Sequence, residues 1–272
     1  MLLTRVLTVL VILPPLLAAM VYLSSDALFA LFATISLLVA AEWGTVVGRL
    51  AGTGRALFVA AVAAALALVW LAPMRELLIV VAMAASALWW CAAVVLLRRF
   101  PDSLTRPLDA RFLHLLGLVL IVSTIGGLGL VHGGENGAWR VFYVFGIVWA
   151  ADVGAYFFGH AFGRRKLLPR VSPGKTVEGA LGGLATTGLW VAVFGPMAFA
   201  PSGSQWIVLT ALTLVAAVFS IVGDLGVSMF KRLGGVKDSG SLLPGHGGLL
   251  DRIDSLLAST PVMVLGIAAL GL

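Results

Sequence analysis

The sequence is poor in charge and has almost no cysteine. Only 11% of its 272 residues are Asp, Glu, Lys or Arg, against roughly 25% in soluble globular proteins, whose surfaces must face water. The single cysteine, Cys91, excludes a scaffold held together by internal disulfides. A soluble enzyme and a disordered chain are also excluded, because 61% of the residues are hydrophobic and the mean hydropathy is +1.09. The composition therefore predicts an all-α, polytopic membrane protein.

Apolar stretches long enough to cross a membrane as helices, which takes about 20 residues, recur along the chain. None of them alternates polar and apolar residues as the strands of a membrane barrel do. The first follows one basic residue and is longer than the apolar core of a signal peptide, so we expect it to stay as a membrane anchor. The predicted spans number about nine and cover residues 6–23, 27–48, 56–72, 77–97, 112–131, 140–160, 177–199, 205–227 and 255–272.

The basic residues sort by side of the predicted membrane. If the spans alternate in direction, only Arg75 and Arg140 of the 18 Lys and Arg residues fall on the side opposite the N-terminus. The positive-inside rule then predicts a cytoplasmic N-terminus. Orientation therefore accounts for the net charge of +6, and we expect no nucleic acid partner. The positive side would face anionic lipid head groups and phosphorylated metabolites.

Polar residues are distributed unevenly between two predicted regions of the chain. Residues 1–111 form about four spans with few polar interruptions, and residues 112–272 form about five spans that we expect to carry the function. Glu42 and His114 interrupt the earlier apolar spans. We interpret His114 as a packing residue and Glu42 as an end-of-span residue near Arg49, and we predict a functional role for neither.

Two aspartates lie at positions where a charge is costly. Asp152 falls inside an apolar run and Asp224 ends another. A carboxylate near the middle of a membrane costs about 2.5–3.5 kcal/mol on insertion scales, so such residues normally face a protein-lined cavity and carry function. Asp152 and Tyr156 are four residues apart and share one helical face. The aspartates also fit the ion site of a secondary transporter, but the chain shows no internal repeat of the kind common in transporters.

The segment between the sixth and seventh spans contains Gly174-Lys175-Thr176, which is similar to the end of a nucleotide-binding P-loop. That motif requires a glycine five positions before its last glycine, and position 169 is proline, so it is excluded. We expect Ser172-Pro173 to begin the seventh span instead. This would place the lysine and the threonine at a helix N-terminus, where exposed N–H groups attract anions. Glu178 would follow in the first turn, and simple helix capping remains the alternative.

Small residues recur at four-residue spacing on the sixth and seventh spans. Gly159 and Gly163 form one such pair, and Gly179 and Gly183 form another. This spacing gives each helix a face without bulky side chains, which lets neighbouring helices approach closely in a membrane. We predict that these glycines pack the two spans together and do not contact a ligand.

Residues 228–254, which we call the signature segment, combine carboxylates, cations and glycines at the positive side of the membrane. Magnesium binds a few carboxylates together with substrate phosphates, and cations neutralise the remaining phosphate charge. Gly247 and Gly248 would let the backbone approach a ligand. The charged and histidine side chains of the segment are Lys231, Arg232, Lys237, Asp238, His246, Asp251, Arg252 and Asp254.

The signature segment resembles the signature of bacterial phosphatidate cytidylyltransferases, also called CDP-diacylglycerol synthases. The matching pattern is S-x-F-K-R-x4-K-D-x-G-x2-L-P-x-H-G-G-L-x-D-R-I-D. The resemblance implies an enzyme of the bacterial inner membrane, with its site toward the cytoplasm. It would transfer the cytidylyl group of CTP to phosphatidate with one or two Mg²⁺ ions as cofactor. A homodimer and a different magnesium-dependent lipid-phosphate transferase are open alternatives.

The resemblance also implies roles for individual residues. Asp224 and Asp251 would be the principal metal ligands, with Asp254 and Asp152 as further candidates. The catalytic residues would be Asp224, Asp251, Lys237, Asp238, His246, Arg252 and Asp254. The substrate-binding residues would be Lys175, Thr176, Glu178, Lys231, Arg232, Gly247, Gly248 and Asp152.

Overall fold

The protein is built almost entirely from helices. The computed structural model describes residues 2–102, 108–240, 242 and 247–272, with side chains from residue 10 onward. Within these ranges the helices are α1 Leu2–Tyr22, α2 Ser25–Val46, α3 Gly52–Leu71, α4 Arg75–Arg98, α5 Ala110–His132, α6 Gly137–Phe162, α7 Val177–Phe199, α8 Gln205–Leu233, α9 Leu250–Ile253 and α10 Leu256–Leu270. Two short strands, β1 Lys166–Leu168 and β2 Ser172–Thr176, lie between α6 and α7.

Eight helical segments in the described part of the chain are long and apolar enough to cross a membrane. They are α2 to α8 and the segment Leu250–Leu270, which joins α9 and α10. The first helix, α1, has 21 residues, and the described side chains of its second half, Leu10–Tyr22, are apolar as well. The prediction of a polytopic helical membrane protein is therefore confirmed, and the assignment of α1 as a ninth span stays a prediction.

Helix α5 lies at the centre of the bundle and is buried along most of its length. It packs against α2, α3, α4 and α10. Gly117 leaves room for the Trp43 indole, whose Nε1 donates a hydrogen bond of 3.0 Å to the Leu113 carbonyl. On the other side, Trp90 Nε1 donates to the Leu257 carbonyl at 2.9 Å. Hydrogen bonds from two indole groups thus join α2 to α5 and α4 to α10.

Helices α6 and α7 pack very closely, as the spacing of their glycines predicts. A Cβ at Gly179 would lie 2.9 Å from the Ala155 carbonyl oxygen, and one at Gly183 would lie 2.6 Å from that of Ala151. Only a residue without a side chain fits where one helix backbone lies against another in this way. The predicted packing role is confirmed for Gly179 and Gly183, whereas Gly163 lies past the end of α6, beside the Thr176 side chain.

The segment before α7 is a β-hairpin and not the start of a helix. Strand β1 pairs antiparallel with β2, with Leu168 opposite Ser172. Our expectation that Ser172-Pro173 begins the seventh span is therefore wrong. A residue before proline disfavours the helical region and prefers extended backbone, which suits a strand at Ser172. The helix begins at Val177, and Thr176 Oγ1 caps it by accepting from Gly179 N at 3.1 Å.

One end of the bundle gathers the hairpin, the last turns of α6 and α8, and the short helix α9. Residues 234–249, which we call the connecting loop, join α8 to α9 at this end. Helix α8 extends six residues past its predicted end and so carries the first part of the signature segment. The Arg232 Nε donates to the Val171 carbonyl at 3.3 Å, which joins α8 to the turn of the hairpin.

Candidate active site

A cavity of about 620 Å³ opens at this end of the bundle. Helix α6 lines one wall, the hairpin and the start of α7 line a second, and α8 with α9 closes the third. The cavity therefore joins residues that lie far apart in the sequence. The predicted site residues that line it are Asp152, Lys175, Thr176, Asp224, Lys231, Asp238, Asp251, Arg252 and Asp254.

An ion pair joins Lys175 on β2 to Asp224 on α8. Both side chains are about one quarter exposed, and that exposure is to the cavity they line. Ser228, one helical turn beyond Asp224, donates from its hydroxyl to Asp224 Oδ1 at 3.3 Å. The hairpin therefore places the ammonium group of Lys175 against Asp224, which the sequence analysis identifies as a candidate metal ligand.

A second ion pair joins Lys231 to Asp251, and it is almost fully buried. Lys231 Nζ lies 2.6 Å from Asp251 Oδ1, and only 10% and 7% of the two side chains are exposed. Asp251 Oδ2 accepts hydrogen bonds from the backbone N–H of Ser239 at 2.9 Å and of Gly248 at 3.2 Å. Both oxygens of Asp251 are therefore engaged, one by a lysine and one by the connecting loop.

Three aspartates concentrate negative charge in the cavity. The charge of Asp224 acts electrostatically on both Asp152 and Asp254, and that of Lys175 offsets it at both. Asp254 is only 7% exposed, and its Oδ1 accepts from the Ser255 N–H at 2.7 Å. Carboxylates this close to one another repel unless a cation lies among them. The cluster of Asp152, Asp224 and Asp254 therefore favours the binding of a cation in addition to Lys175.

The carboxylates fit a magnesium ion that is bound jointly with phosphates. Among the described residues, no three His, Cys, Asp or Glu side chains form a complete metal site by themselves. Magnesium does not need a complete site of protein side chains. It commonly binds one or two carboxylates and completes its coordination shell with water and substrate phosphates. Asp224, Asp254 and Asp152 offer such oxygens to the cavity. The selection of Asp224 and Asp251 as principal ligands stays a prediction.

Several predicted residues lie beside the cavity and hold its walls. Glu178 Oε2 accepts from the backbone N–H groups of Arg164 and Arg165 at 3.0 and 3.1 Å, and Arg165 Nε donates to Glu178 Oε1 at 2.9 Å. Gly247, at φ +79°, leaves space for the Asp251 carboxylate. Glu178 thus fixes the base of the hairpin, and Gly247 allows the connecting loop to approach α9.

Three further predicted residues that the structure describes are not among the lining residues. Lys237 is exposed on the connecting loop, and Arg232 contacts the hairpin turn. Gly248 is buried between the two ends of the loop. His246 lies outside the described residues, and its predicted role stays a prediction.

Helix α6 adds a cavity residue that we did not single out from the sequence. His160 lines the cavity together with Tyr156, and the two rings stack at 6.2 Å between centroids. Its spacing could have revealed it, because Asp152, Tyr156 and His160 follow one another at four-residue intervals on one helical face.

Glu42 corrects our interpretation of the first part of the chain. It lies near the end of α2 as expected, but it is more than an end-of-span residue near Arg49, whose Nη2 donates to the Leu233 carbonyl at 3.0 Å. The Glu42 carboxylate accepts three hydrogen bonds from residues of the connecting loop and α9. The apolar context of the sequence around Glu42 gives no signal for partners about 200 positions away. His114 behaves as expected, with Nε2 at 3.2 Å from the Gly48 carbonyl oxygen.

A larger groove of about 1230 Å³ lies between α2, α3 and the start of α4, away from these charges. Its walls are mostly alanine, leucine and phenylalanine. Two of its three charged residues pair with each other, since Arg75 Nη1 lies 3.9 Å from Asp26 Oδ1. Trp70 Nε1 also donates to Asp26 Oδ1 at 3.0 Å. Of these two cavities, the smaller one is where the described lysines, arginines and aspartates are concentrated.

Comparison with known proteins agrees with the geometry. The phosphatidate cytidylyltransferase of Pseudomonas aeruginosa is 40% identical over 265 residues, which cover 96% of this chain and 95% of that protein. The proteins of the same name from Haemophilus influenzae and Bacillus subtilis are 49% and 44% identical over 135 and 129 residues, about half of each chain. The sequence profile of the cytidylyltransferase family matches residues 3–270. The chain therefore belongs to the cytidylyltransferase family.

Proposed function

We propose that this protein transfers the cytidylyl group of CTP to phosphatidate, yielding CDP-diacylglycerol and pyrophosphate for phospholipid synthesis. The observation that carries the proposal is the cavity in which Lys175, Lys231 and Arg252 lie among five aspartates at one end of a membrane bundle. Family membership and the name of the relative that aligns over nearly the whole chain support the same reaction. A transporter and a transferase of another lipid phosphate are not favoured.

The reaction is balanced without a strong base. An oxygen of the phosphatidate phosphate attacks the α-phosphorus of CTP, a new P–O–P bond forms, and the bond to the β-phosphate breaks. The electron pair of that bond leaves with pyrophosphate. The second pKa of a phosphate monoester is about 6, so the attacking oxygen is already largely ionised at neutral pH. The difficulty is to bring two polyanions together, which calls for positioning and charge neutralisation.

The cations of the cavity are suited to that task. Lys175 and Lys231 are held by Asp224 and Asp251. We expect bound phosphates to share these lysines, with Arg252 at the cavity wall as a further donor. Preorganised cations lower the barrier because they need little rearrangement when charge moves toward the leaving group. Asp238, which also lines the cavity, would orient these cations.

Magnesium, when bound, would neutralise phosphate charge and align the triphosphate. Asp224 is the first candidate ligand because it lines the cavity and its charge acts on both Asp152 and Asp254. Asp251 could join only if its oxygens released Lys231 or the connecting loop. Dependence of turnover on Mg²⁺ is therefore expected, and a fixed number of ions is not implied.

The positive-inside rule supports a cytoplasmic N-terminus and a site that faces the cytoplasm of a bacterial inner membrane. Cysteine labelling can test this after Cys91→Ser removes the native thiol. Pro169→Cys in the hairpin turn and Glu135→Cys between α5 and α6 would lie at opposite ends of the bundle. In intact cells with a permeable outer layer, a membrane-impermeant maleimide should label only Glu135→Cys.

The homodimer, an open alternative, can be checked by light scattering of detergent-purified protein.

A transfer assay tests the reaction itself. Detergent-purified protein would be supplied with phosphatidate, Mg²⁺ and CTP labelled at the α-phosphate. Label should enter the organic phase, and CTP labelled at the γ-phosphate should leave its label in water as pyrophosphate. Movement of γ-label into lipid would indicate phosphorylation instead. No α-label in lipid, from folded protein in several detergents, would refute the proposal.

A further inference from the structure

The Glu42 carboxylate joins α2 to both ends of the connecting loop. Its Oε2 accepts from Ser239 Oγ and from Leu250 N, both at 2.8 Å, and its Oε1 accepts from Leu249 N at 3.0 Å. Ser239 lies near one end of the loop, and Leu249 and Leu250 lie at the other. One side chain on the second helix therefore brings together two stretches of chain ten residues apart.

The geometry around Glu42 is too tight to be an incidental surface contact. A Cβ at Gly240 would lie 2.7 Å from Glu42 Oε1, and a Cβ at Gly248 would lie 2.5 Å from Glu42 Oε2. A Cβ at Gly248 would also lie 2.7 Å from Gly240 N. Glycine allows the two loop ends to pack onto the carboxylate, because any side chain would push them apart.

Glu42 and Asp251 hold the same two loop ends from opposite sides. Asp251 Oδ2 accepts from Ser239 N and Gly248 N, while Glu42 binds the Ser239 hydroxyl and the next two backbone N–H groups after Gly248. Asp251 lines the cavity and Glu42 does not. A shift of the loop at Glu42 would therefore move Asp251 and its partner Lys231 within the site.

We infer that Glu42 is a positioning residue for cytidylyl transfer, acting through the connecting loop on Asp238, Asp251 and Arg252. This inference rests on the proposed function for its readout of activity. Charged acceptors make stronger hydrogen bonds than neutral ones, and a misplacement of about 1 Å in an active site can lower a rate roughly 100-fold. The second helix then has a part in catalysis although none of its described residues lines the cavity.

Glu42→Gln tests the inference with little change in shape. Its amide keeps one accepting oxygen and replaces the other with an NH₂ donor. Because Leu249 N and Leu250 N bind different oxygens of Glu42, one of these N–H groups would then face another donor. We expect kcat to fall by about tenfold or more, with the KM for phosphatidate changed less than about twofold. Amide exchange at residues 248–250 should become faster, and the melting temperature should change little.

Two further variants make the test specific. Glu76→Gln makes the same chemical change on an exposed glutamate that forms no hydrogen bond or ion pair among the described residues, and it should match the wild type. Ser239→Ala removes only one of the three bonds to Glu42 and should lower kcat by about threefold. If Glu42→Gln does not fold, Ser239→Ala decides, and an unchanged kcat would overturn the inference.

The outcomes separate this inference from the proposed reaction. An active wild type together with a Glu42→Gln variant within twofold of its kcat would overturn the positioning role, whatever happens to exchange. A wild type without any transfer would refute the proposed reaction instead. Exchange at residues 248–250 would then still decide whether Glu42 holds the loop, because unchanged exchange would show that it does not.

Discussion

Lys175 and Asp224 form an ion pair that joins the β-hairpin to α8 across the mouth of the cavity. One residue comes from the short strand before α7 and the other from the middle of a membrane helix. Because the hairpin is anchored at its base by Glu178, the lysine is held in place and not left on a free loop. Under the proposed function, we expect a bound phosphate to share this lysine with the Asp224 carboxylate.

Asp224→Asn should lower transfer by about 100-fold or more, because it removes the charge that holds both Lys175 and the expected magnesium ion. Folding should be retained, since the side chain is partly exposed and such pairs add little stability. The measurement is label transfer per folded protein across a range of Mg²⁺ concentrations. Asp102→Asn, at a highly exposed aspartate paired only loosely with Arg170, is the matched control. Wild-type turnover in Asp224→Asn would show that the reaction does not need the Asp224 carboxylate.

The buried pair of Lys231 and Asp251 should respond differently. Lys231→Met would leave Asp251 as an unpaired charge in a site that is nearly closed to water, at a cost of about 3 kcal/mol or more. The melting temperature in detergent should therefore drop clearly. Adding Asp251→Asn to Lys231→Met should restore much of that loss, because the unpaired charge disappears, while activity stays absent. A double variant as unstable as Lys231→Met would show that the pair is not the source of the effect.

The sequence predicts most of the helices, but it does not predict the β-hairpin or the contacts of Glu42 that shape the site. Long apolar runs identify eight helices, because a span is a local property of about 20 consecutive residues. The hairpin is missed because strands of three and five residues leave no periodic pattern, although proline at position 173 argues against helix there. Glu42 is missed for another reason. Its partners are distant in sequence, and a lone carboxylate near a span end has a simpler interpretation.

Glu178→Gln should act on substrate binding more than on the chemical step. The change weakens the acceptor for Arg164 N and Arg165 N at the base of the hairpin, which frees Lys175 to move. We expect the KM for CTP to rise by about 10-fold, the low end of the range found when groups that support metal ligands are removed. Kinetics at saturating phosphatidate would measure it. Arg165→Ala, which removes only the side-chain partner, should have a smaller effect, and equal or larger losses would contradict this account.

The close packing of α6 on α7 predicts opposite effects at two glycines of the same helix. At Gly183 a Cβ would lie 2.6 Å from the Ala151 carbonyl oxygen, whereas at Gly188 nothing lies within 4 Å. Gly183→Ala should push the helices apart at a cost of about 1–3 kcal/mol and disturb Asp152, the next residue of α6. Gly188→Ala should be neutral or stabilising, since alanine favours helix over glycine by about 1 kcal/mol. Melting temperature and label transfer, measured on both variants in one detergent, would check this. Equal melting temperatures would mean that the backbone contact at Gly183 does not constrain the wall of the site.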